Sequence, residues 1–176
     1  MRKCFTVCLL ALVMAGGSGL RAHITDPAAR PTGHVAGPHV RGASPRMAQM
    51  LELAIRRSPT FAALVKQIDA TDVIVHVEEV PQLPSGIDGR LTFVHAAGGV
   101  RYLRAQVVMG RGTIDVMSTV GHELQHALEV AQAREVRDEG SFEALYMRIG
   151  DKPARPDRYD TPAAREAGRR VRNEMS

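Results

Sequence analysis

The feature that most constrains the fold of this chain is a segment from residue 113 to about residue 132, whose apolar side chains recur with the period of an α-helix. Thr113 can cap the N-terminus of this helix, directly after the turn-forming sequence Gly110-Arg-Gly. A period of about 3.6 residues places five apolar residues on one face: Met117, Val120, Leu124, Leu128 and Ala131. We therefore predict a long helix that packs by this stripe against the core.

The opposite face of the predicted helix is polar and carries Gly121-His122-Glu123-Leu124-Gln125-His126, an HExxH motif. Side chains at positions i and i+4 share a helix face, so His122 and His126 can offer two imidazole nitrogens to one Zn²⁺ ion. Glu123 can act as a general base toward a water molecule that the ion activates. A polar, ligand-bearing face on an otherwise packed helix favours a metal site over histidines that only hydrogen-bond to acidic neighbours.

Through His122, Glu123 and His126 the sequence resembles the zincin metallopeptidases, the HExxH family. The coarse resemblance covers about residues 72–170. It implies a small sheet above an active-site helix and a third metal ligand further along the chain. The Gly and His that follow the motif in the metzincin branch are missing here. The remaining likeness is to gluzincin-like or aspzincin-like proteins, in which the third ligand is a carboxylate.

Several carboxylates follow the motif, and the sequence leaves the choice of third ligand open. In gluzincin-like proteins, small residues three, four and seven positions after the ligand let its helix pack closely, and Asp160 is followed by Ala at all three positions. Asp160 is our predicted ligand, although the family's usual residue is Glu. Glu129 lies a turn beyond the histidines on their face, so orienting His126 suits it better than ligation. The other candidates are Asp138, Glu139, Glu143 and Glu166.

Helix-start signals predict four further helices. Ser44-Pro45 and Ser58-Pro59 each place a capping residue before a Pro at the first helical position, and helical apolar spacing follows both pairs. Beyond the long helix, further helices are predicted at 141–149 and from Thr161-Pro162 to about Val171. A charged loop at 151–158 separates these two helices.

Strand periodicity is confined to the middle of the chain. Residues 73–78 alternate apolar and polar side chains, and 91–96 and 100–109 flank a Gly98-Gly99 turn of the kind found in hairpins. The order of helices, then strands, then helices predicts an α+β domain over residues 44–176, with a small, mainly antiparallel sheet.

The N-terminus has the layout of a secretory signal peptide. Arg2 and Lys3 precede an apolar run at 4–15, which is too short to span a bilayer unaided, and small residues follow it. We predict a signal peptide over 1–22 and a flexible leader rich in Pro, Gly and Ala over 23–43. An uncleaved N-terminal anchor is the alternative. The mature protein is expected to be secreted or periplasmic, without stable membrane insertion.

Most of the net charge of the chain, and both of its cysteines, lie in the predicted signal peptide. The 176-residue chain has 23 Lys and Arg against 19 Asp and Glu, a net charge of +4. Three basic residues and no acidic residue lie in 1–22, so the mature chain would carry +1. Nucleic-acid binding is therefore not expected, and a solvated helix face explains the group Arg169, Arg170 and Arg172. Both cysteines, Cys4 and Cys8, also lie in 1–22, which leaves no thiol for a disulfide or a metal ligand.

Four other polar residues have smaller roles in the prediction. Tyr146 and Tyr159 are candidates to stabilise a developing oxyanion, although packing in a helix interface is the simpler expectation. His76 and His95 are expected to be ordinary sheet residues.

We expect a secreted or periplasmic zinc metallopeptidase that acts on a peptide or protein substrate. The alternatives are a catalytically silent zinc-binding interaction module on the same scaffold and a structural domain with a chance motif.

Overall fold

A computed structural model of the protein describes residues 37–84, 86–151 and 160–176. These ranges contain nine elements: β1 (Val40–Gly42), α1 (Pro45–Arg57), α2 (Pro59–Asp69), β2 (Val73–Val80), β3 (Gly89–Ala97), β4 (Val100–Val108), α3 (Thr113–Gln132), α4 (Glu139–Ile149) and α5 (Pro162–Met175). The class is α+β, as predicted. The predicted signal peptide, most of the predicted leader and residues 152–158 of the predicted charged loop lie outside the described residues.

The helices begin close to where the sequence predicts. The hydroxyl of Ser44 accepts a hydrogen bond from Met47 N at 3.1 Å, and that of Ser58 accepts one from Phe61 N at 3.0 Å. Both serines therefore satisfy an amide that a helix N-terminus leaves without a partner. The long helix α3 has Gly112 at its N-cap position in place of the predicted Thr113. None of the described helices has both the length and the apolar character needed to cross a membrane.

The sheet is mixed, so the prediction of a mainly antiparallel sheet was wrong. The strand order is β1-β2-β4-β3, and of the three pairings between described strands only β3–β4 is antiparallel. The hairpin itself is present, and Gly98 and Gly99 both adopt the positive φ that its turn requires. After β2, however, the chain skips one position in the sheet and returns through the hairpin, which makes β4 parallel to β2.

The end of the predicted flexible leader belongs to the sheet, which corrects its boundary. Residues 40–42 form β1 and pair in parallel with β2, with Val40 opposite Val75. The Val75 amide also donates a hydrogen bond of 2.8 Å to the carbonyl of His39. Three residues are too few to show strand periodicity, because alternation is recognisable only over about four or more.

Helix α3 lies at the centre of the domain. It contacts the strands β2, β3 and β4 and the helices α1, α2 and α5. All five residues of its predicted apolar stripe are buried. Buried side chains of β2 and β4, such as Val75 and Leu103, belong to the same core cluster. The predicted amphipathic division of α3 is therefore confirmed on its apolar side.

The C-terminal end of α3 is held by a buried arginine on β4. The Arg101 guanidinium donates hydrogen bonds to the carbonyls of Val130, Ala131 and Ala133 at 2.7 to 3.0 Å. It also pairs with Asp72, with 2.5 Å between Nη2 and Oδ1. The Val130 and Ala133 carbonyls also accept backbone hydrogen bonds from Ala133 N and Val136 N, so Arg101 adds a second donor to these two and binds the Ala131 carbonyl as well. The same contacts compensate the charge of a fully buried side chain.

We expect Arg101→Met to lower the free energy of unfolding by about 3 kcal/mol, since it removes the side-chain donor of the Ala131 carbonyl and leaves Asp72 without its closest partner. Urea denaturation followed by circular dichroism measures this change. Arg104→Met, an exposed arginine on the same strand, serves as the matched control and should change stability by less than about 0.5 kcal/mol. Equal effects of the two substitutions would contradict this account of α3.

Candidate metal centre

Three predicted ligands come together between α3 and the start of α5. The Nε2 atoms of His122 and His126 lie 3.1 Å apart, and His122 Nε2 lies 3.5 Å from Asp160 Oδ1. The possible ligand atoms of the three residues all lie within 4.8 Å of one another. His122, His126 and Asp160 can therefore hold a metal ion, which confirms the grouping that the sequence predicted.

The local chemistry of this cluster fits a cation. Asp160 Oδ1 is buried and has no hydrogen-bond partner among the described residues, which is a costly state for a carboxylate oxygen. Without a cation, one of the two facing Nε2 atoms must carry a proton to avoid repulsion between lone pairs. A tetrahedral ion with bonds of about 2.0–2.1 Å keeps its ligand atoms about 3.3 Å apart, close to the two distances measured here.

Asp160 is held in place by Arg165, a residue that the sequence analysis did not identify. Arg165 Nη1 lies 3.1 Å from Asp160 Oδ2, and its Nη2 lies 2.5 Å from Asp151 Oδ2. The backbone amide of Asp151 also donates to the carbonyl of Asp160 at 2.9 Å. One carboxylate oxygen is thus occupied while the other faces the histidines. An arginine in the first turns of a polar helix is too common in sequences to signal this role.

Glu129 links the two segments that carry the ligands. Its Oε2 atom lies 2.8 Å from Nδ1 of His126, and its Oε1 atom accepts a hydrogen bond of 2.7 Å from the Thr161 hydroxyl. This geometry directs Nε2 of His126 toward the cluster. The predicted contact of Glu129 with His126 is present, and its orienting role stays a prediction. Thr161, which also caps α5, was not identified as a partner from the sequence.

Helices α3 and α5 approach closely because glycines lie at their contact. A Cβ atom on Gly121 would lie 2.8 Å from Val171 Cγ2, and one on Gly168 would lie 3.3 Å from His122 Cβ. Ser118 also donates a hydrogen bond from its hydroxyl to the Gly168 carbonyl at 2.9 Å. Of the three alanines on which the predicted close packing depended, Ala164 and Ala167 are buried but Ala163 is exposed. The close approach is made by Gly168, which the sequence pattern did not include.

The predicted general base, Glu123, lies beside the cluster and only 5% of it is exposed. Burial raises the pKa of its carboxyl to about 7, and a hydrogen bond from the Leu91 amide partly offsets that rise. A Cβ atom on Gly89 would lie 2.6 Å from Glu123 Oε1. The start of β3 therefore fits closely around the Glu123 carboxyl, a contact that nothing in the sequence pattern indicates.

The two histidines have opposite electrostatic environments. Burial, together with the charge of His126, lowers the pKa of His122 to about 4, so this ring is neutral at pH 7. Burial also opposes the charged form of His126, but the hydrogen bond to Glu129 and the nearby carboxylates outweigh it and raise its pKa. In the metal-free protein a proton on His126 Nε2 can therefore be donated to His122 Nε2.

The cluster opens into a cavity of about 500 Å³. His122, Glu123 and His126 line it from α3, and Leu91 lines it from β3. Further side chains reach it from α4 and α5, including Phe142, Tyr146, Arg165 and Arg169. The space is large enough for a peptide segment or a small ligand beside the metal cluster.

The other candidate carboxylates lie elsewhere in the described structure. Asp138 caps α4, Glu139 and Glu143 are exposed on α4, and Glu166 pairs with Arg169 and Arg170. None of these four belongs to the group of possible ligands found among the described residues.

The remaining predicted residues have structural contacts. The Tyr146 hydroxyl donates to the His126 carbonyl at 3.0 Å, and its ring packs edge-on against the His126 ring. Burial raises the pKa of Tyr146 well above its ordinary value. His76 is exposed on β2, and His95 stacks on Tyr102, so both are sheet residues as expected. Tyr159 lies outside the described residues.

No family model, curated protein or solved structure matches this chain significantly. The likeness to zincin metallopeptidases therefore rests on the residues of the sequence alone, chiefly His122, Glu123 and His126. Functional conclusions follow from the chemistry of the site.

We expect Glu129→Gln to weaken metal binding about tenfold to a hundredfold, because the His126 ring loses a charged partner that orients it. Competition with a chromophoric chelator measures this affinity. Glu143→Gln, an exposed substitution of the same kind on α4, is the control and should leave the affinity unchanged. If both variants bind the metal as tightly as the original chain, Glu129 does not orient the ligand.

A pH-dependent effect is expected for Glu123→Gln in the metal-free protein. The folded-state pKa of Glu123, about 7, exceeds its ordinary value of 4.5, so its contribution to stability falls as pH rises from 4.5 through 7. Glutamine does not ionise, so the variant avoids the loss of stability that ionisation of the buried Glu123 causes. It should melt at a higher temperature than the original chain at pH 8 but not at pH 4. Thermal unfolding in the presence of chelator measures the difference. Glu143→Gln should show none.

Proposed function

We propose that the protein is a zinc-dependent peptidase on a zincin-like scaffold. The observation that carries this proposal is the position of Glu123 in the same cavity as His122, His126 and Asp160. Two imidazoles and one carboxylate are the donor set of a catalytic zinc site that keeps a coordination position open. The contacts of α3 with three strands support the scaffold part of the proposal.

Each group beside the cluster has a chemical task in peptide hydrolysis. A zinc ion would supply Lewis acidity that activates water and polarises the peptide carbonyl. The Glu123 carboxylate can take a proton from water as the water oxygen bonds to the peptide carbonyl carbon, and can return it to the amine as the C–N bond breaks. Burial raises the pKa of this carboxyl above its ordinary value, which favours its work as a base and then an acid. Glu129 and Arg165 keep His126 and Asp160 in their orientations.

The strand β3 supports a peptide as substrate. In the described sheet it pairs with β4 alone, so its other edge is open, and its residues Gly89, Arg90 and Leu91 line the cavity. An extended peptide can add to such an edge through main-chain hydrogen bonds. We also propose secretion or export to the periplasm, on the basis of the predicted signal peptide over 1–22.

The decisive experiment combines metal analysis with a peptidase assay on the purified protein. After growth in zinc-replete medium we expect about one equivalent of zinc in the original chain and less than about 0.1 in His126→Ala. Glu123→Gln should keep its zinc and lose about a hundredfold to ten-thousandfold in kcat/KM on a cleavable peptide. A zinc content below about 0.1 equivalent in the original chain would refute the proposal.

A catalytically silent zinc-binding module is the second candidate, and the environment of Glu123 favours it. This carboxyl is almost completely buried and already accepts a hydrogen bond from the Leu91 amide, which reduces its access to water. Under this alternative the zinc-loaded protein cleaves nothing in a broad peptide library. Its binding partners then remain bound when Glu123 is replaced by glutamine.

A further inference from the structure

One face of α5 presents a row of arginines to the cavity. Arg165, Arg169 and Arg172 are spaced four and three residues apart, so they share a helix face, and all three line the cavity. Arg90 lines it from β3. All three members of the basic group Arg169, Arg170 and Arg172 are exposed, as expected of a solvated helix face, but Arg169 and Arg172 also line the cavity, whereas Arg170 does not.

Two of these four arginines are neutralised by acids of this chain. Arg165 contacts both Asp151 and Asp160, and Arg172 Nη1 lies 2.5 Å from Asp115 Oδ1. Their charges are therefore balanced within the protein.

The other two arginines are balanced less completely. Arg169 shares the carboxylate of Glu166 with Arg170, although Arg170 also interacts with the carboxylate of Glu174. Arg90 donates to the neutral amide oxygen of Gln106 at 2.8 Å and has no acidic partner among the described residues. Asp88, an acid that also lines the cavity, is itself paired with Arg111.

These two arginines lie where a ligand can use their charge. The side chain of Arg169 is 69% exposed, and its ion pair among the described residues is with the surface carboxylate of Glu166, so it can turn toward a ligand with little loss of stability. A guanidinium offers two parallel N–H donors that match the two oxygens of a carboxylate. Arg169 and Arg90 belong to different elements, α5 and β3, and so can hold a carboxylate in a defined position relative to the metal cluster.

We propose that the cavity selects peptides with a carboxylate close to the bond at the metal cluster, bound by Arg169 and Arg90. As a statement about substrate, this rests on the proposed peptidase function. The carboxylate can be the side chain of an Asp or Glu residue or the C-terminal α-carboxylate of the peptide. Both sources present the same chemistry to the two arginines.

Binding is tested with the full chain carrying Glu123→Gln and loaded with zinc, so that peptides remain uncut. Fluorescence anisotropy compares three labelled peptides of equal length: one with internal acidic residues and an amidated C-terminus, one neutral with a free C-terminus, and one neutral and amidated. At least one carboxylate-bearing peptide should bind about tenfold tighter than the neutral amidated one. The peptide that binds more tightly identifies the source of the carboxylate. Equal affinity for all three peptides overturns the inference.

Arginine variants in the same background locate the site. Arg169→Gln and Arg90→Gln should each remove most of the tenfold preference. Arg170→Gln is the matched control, because it also deletes a positive partner of Glu166 but lies outside the cavity lining. It should change the preference by less than about threefold. Equal losses in Arg169→Gln and Arg170→Gln would mean that net charge alone attracts the peptide, and would overturn the inference.

Failure of this inference can be distinguished from failure of the proposed function. Hydrolysis of neutral amidated and acidic peptides at equal rates by the original chain overturns the carboxylate preference and leaves the peptidase function standing. Preferential binding of carboxylate peptides without hydrolysis of any of them supports the carboxylate site and removes the peptidase function.

Discussion

The close contact between α3 and α5 is the feature on which the candidate metal centre depends. Two ligands lie on α3, and the third precedes α5 by two residues, so the distance between these helices sets the distance between ligands. Gly121 and Gly168 allow the approach because a side chain at either position would meet the opposing helix. The Thr161–Glu129 hydrogen bond then joins the N-terminus of α5 to the C-terminal part of α3, just beyond the two histidines. The packing of α3 against α5 therefore also sets the positions of the three possible metal ligands.

The position of α3 is in turn fixed from its far end. Arg101 binds carbonyls of the last turn, and its partner Asp72 precedes β2, so the helix is tied to two strands of the sheet. A buried ion pair adds little net stability compared with apolar packing. Its geometry is directional, however, and holds the helix at a defined position along its axis. The HExxH motif thereby keeps its register relative to Gly89 and Leu91 on β3, the residues that surround Glu123.

The sequence was sufficient for features that depend on neighbouring residues. Helix starts at Ser44 and Ser58, and the shared face of His122 and His126, follow from local geometry and were predicted correctly. The parallel pairing of β2 with β4 depends on the path between strands, which local periodicity does not encode. The contacts of Arg165 likewise depend on the position of a whole helix. Asp160 was identified through the family pattern, since geometry within one helix could not select among six carboxylates.

In the metal-free cluster, the described neighbours of the two histidines and Asp160 do not satisfy all of their charges and lone pairs, and a bound cation would satisfy them. His126 tends to hold a proton because of Glu129, whereas His122 tends to be neutral. One oxygen of Asp160 is buried and has no hydrogen-bond partner in the part of the chain that the structure describes. A divalent cation satisfies all three groups at once, because it replaces the proton between the imidazoles and gives the carboxylate oxygen a ligand contact. Binding therefore stabilises the folded chain by an amount that rises with the logarithm of the free metal concentration once that concentration exceeds the dissociation constant. The same positive charge favours the ionised form of the adjacent Glu123, which is the form that accepts a proton from water.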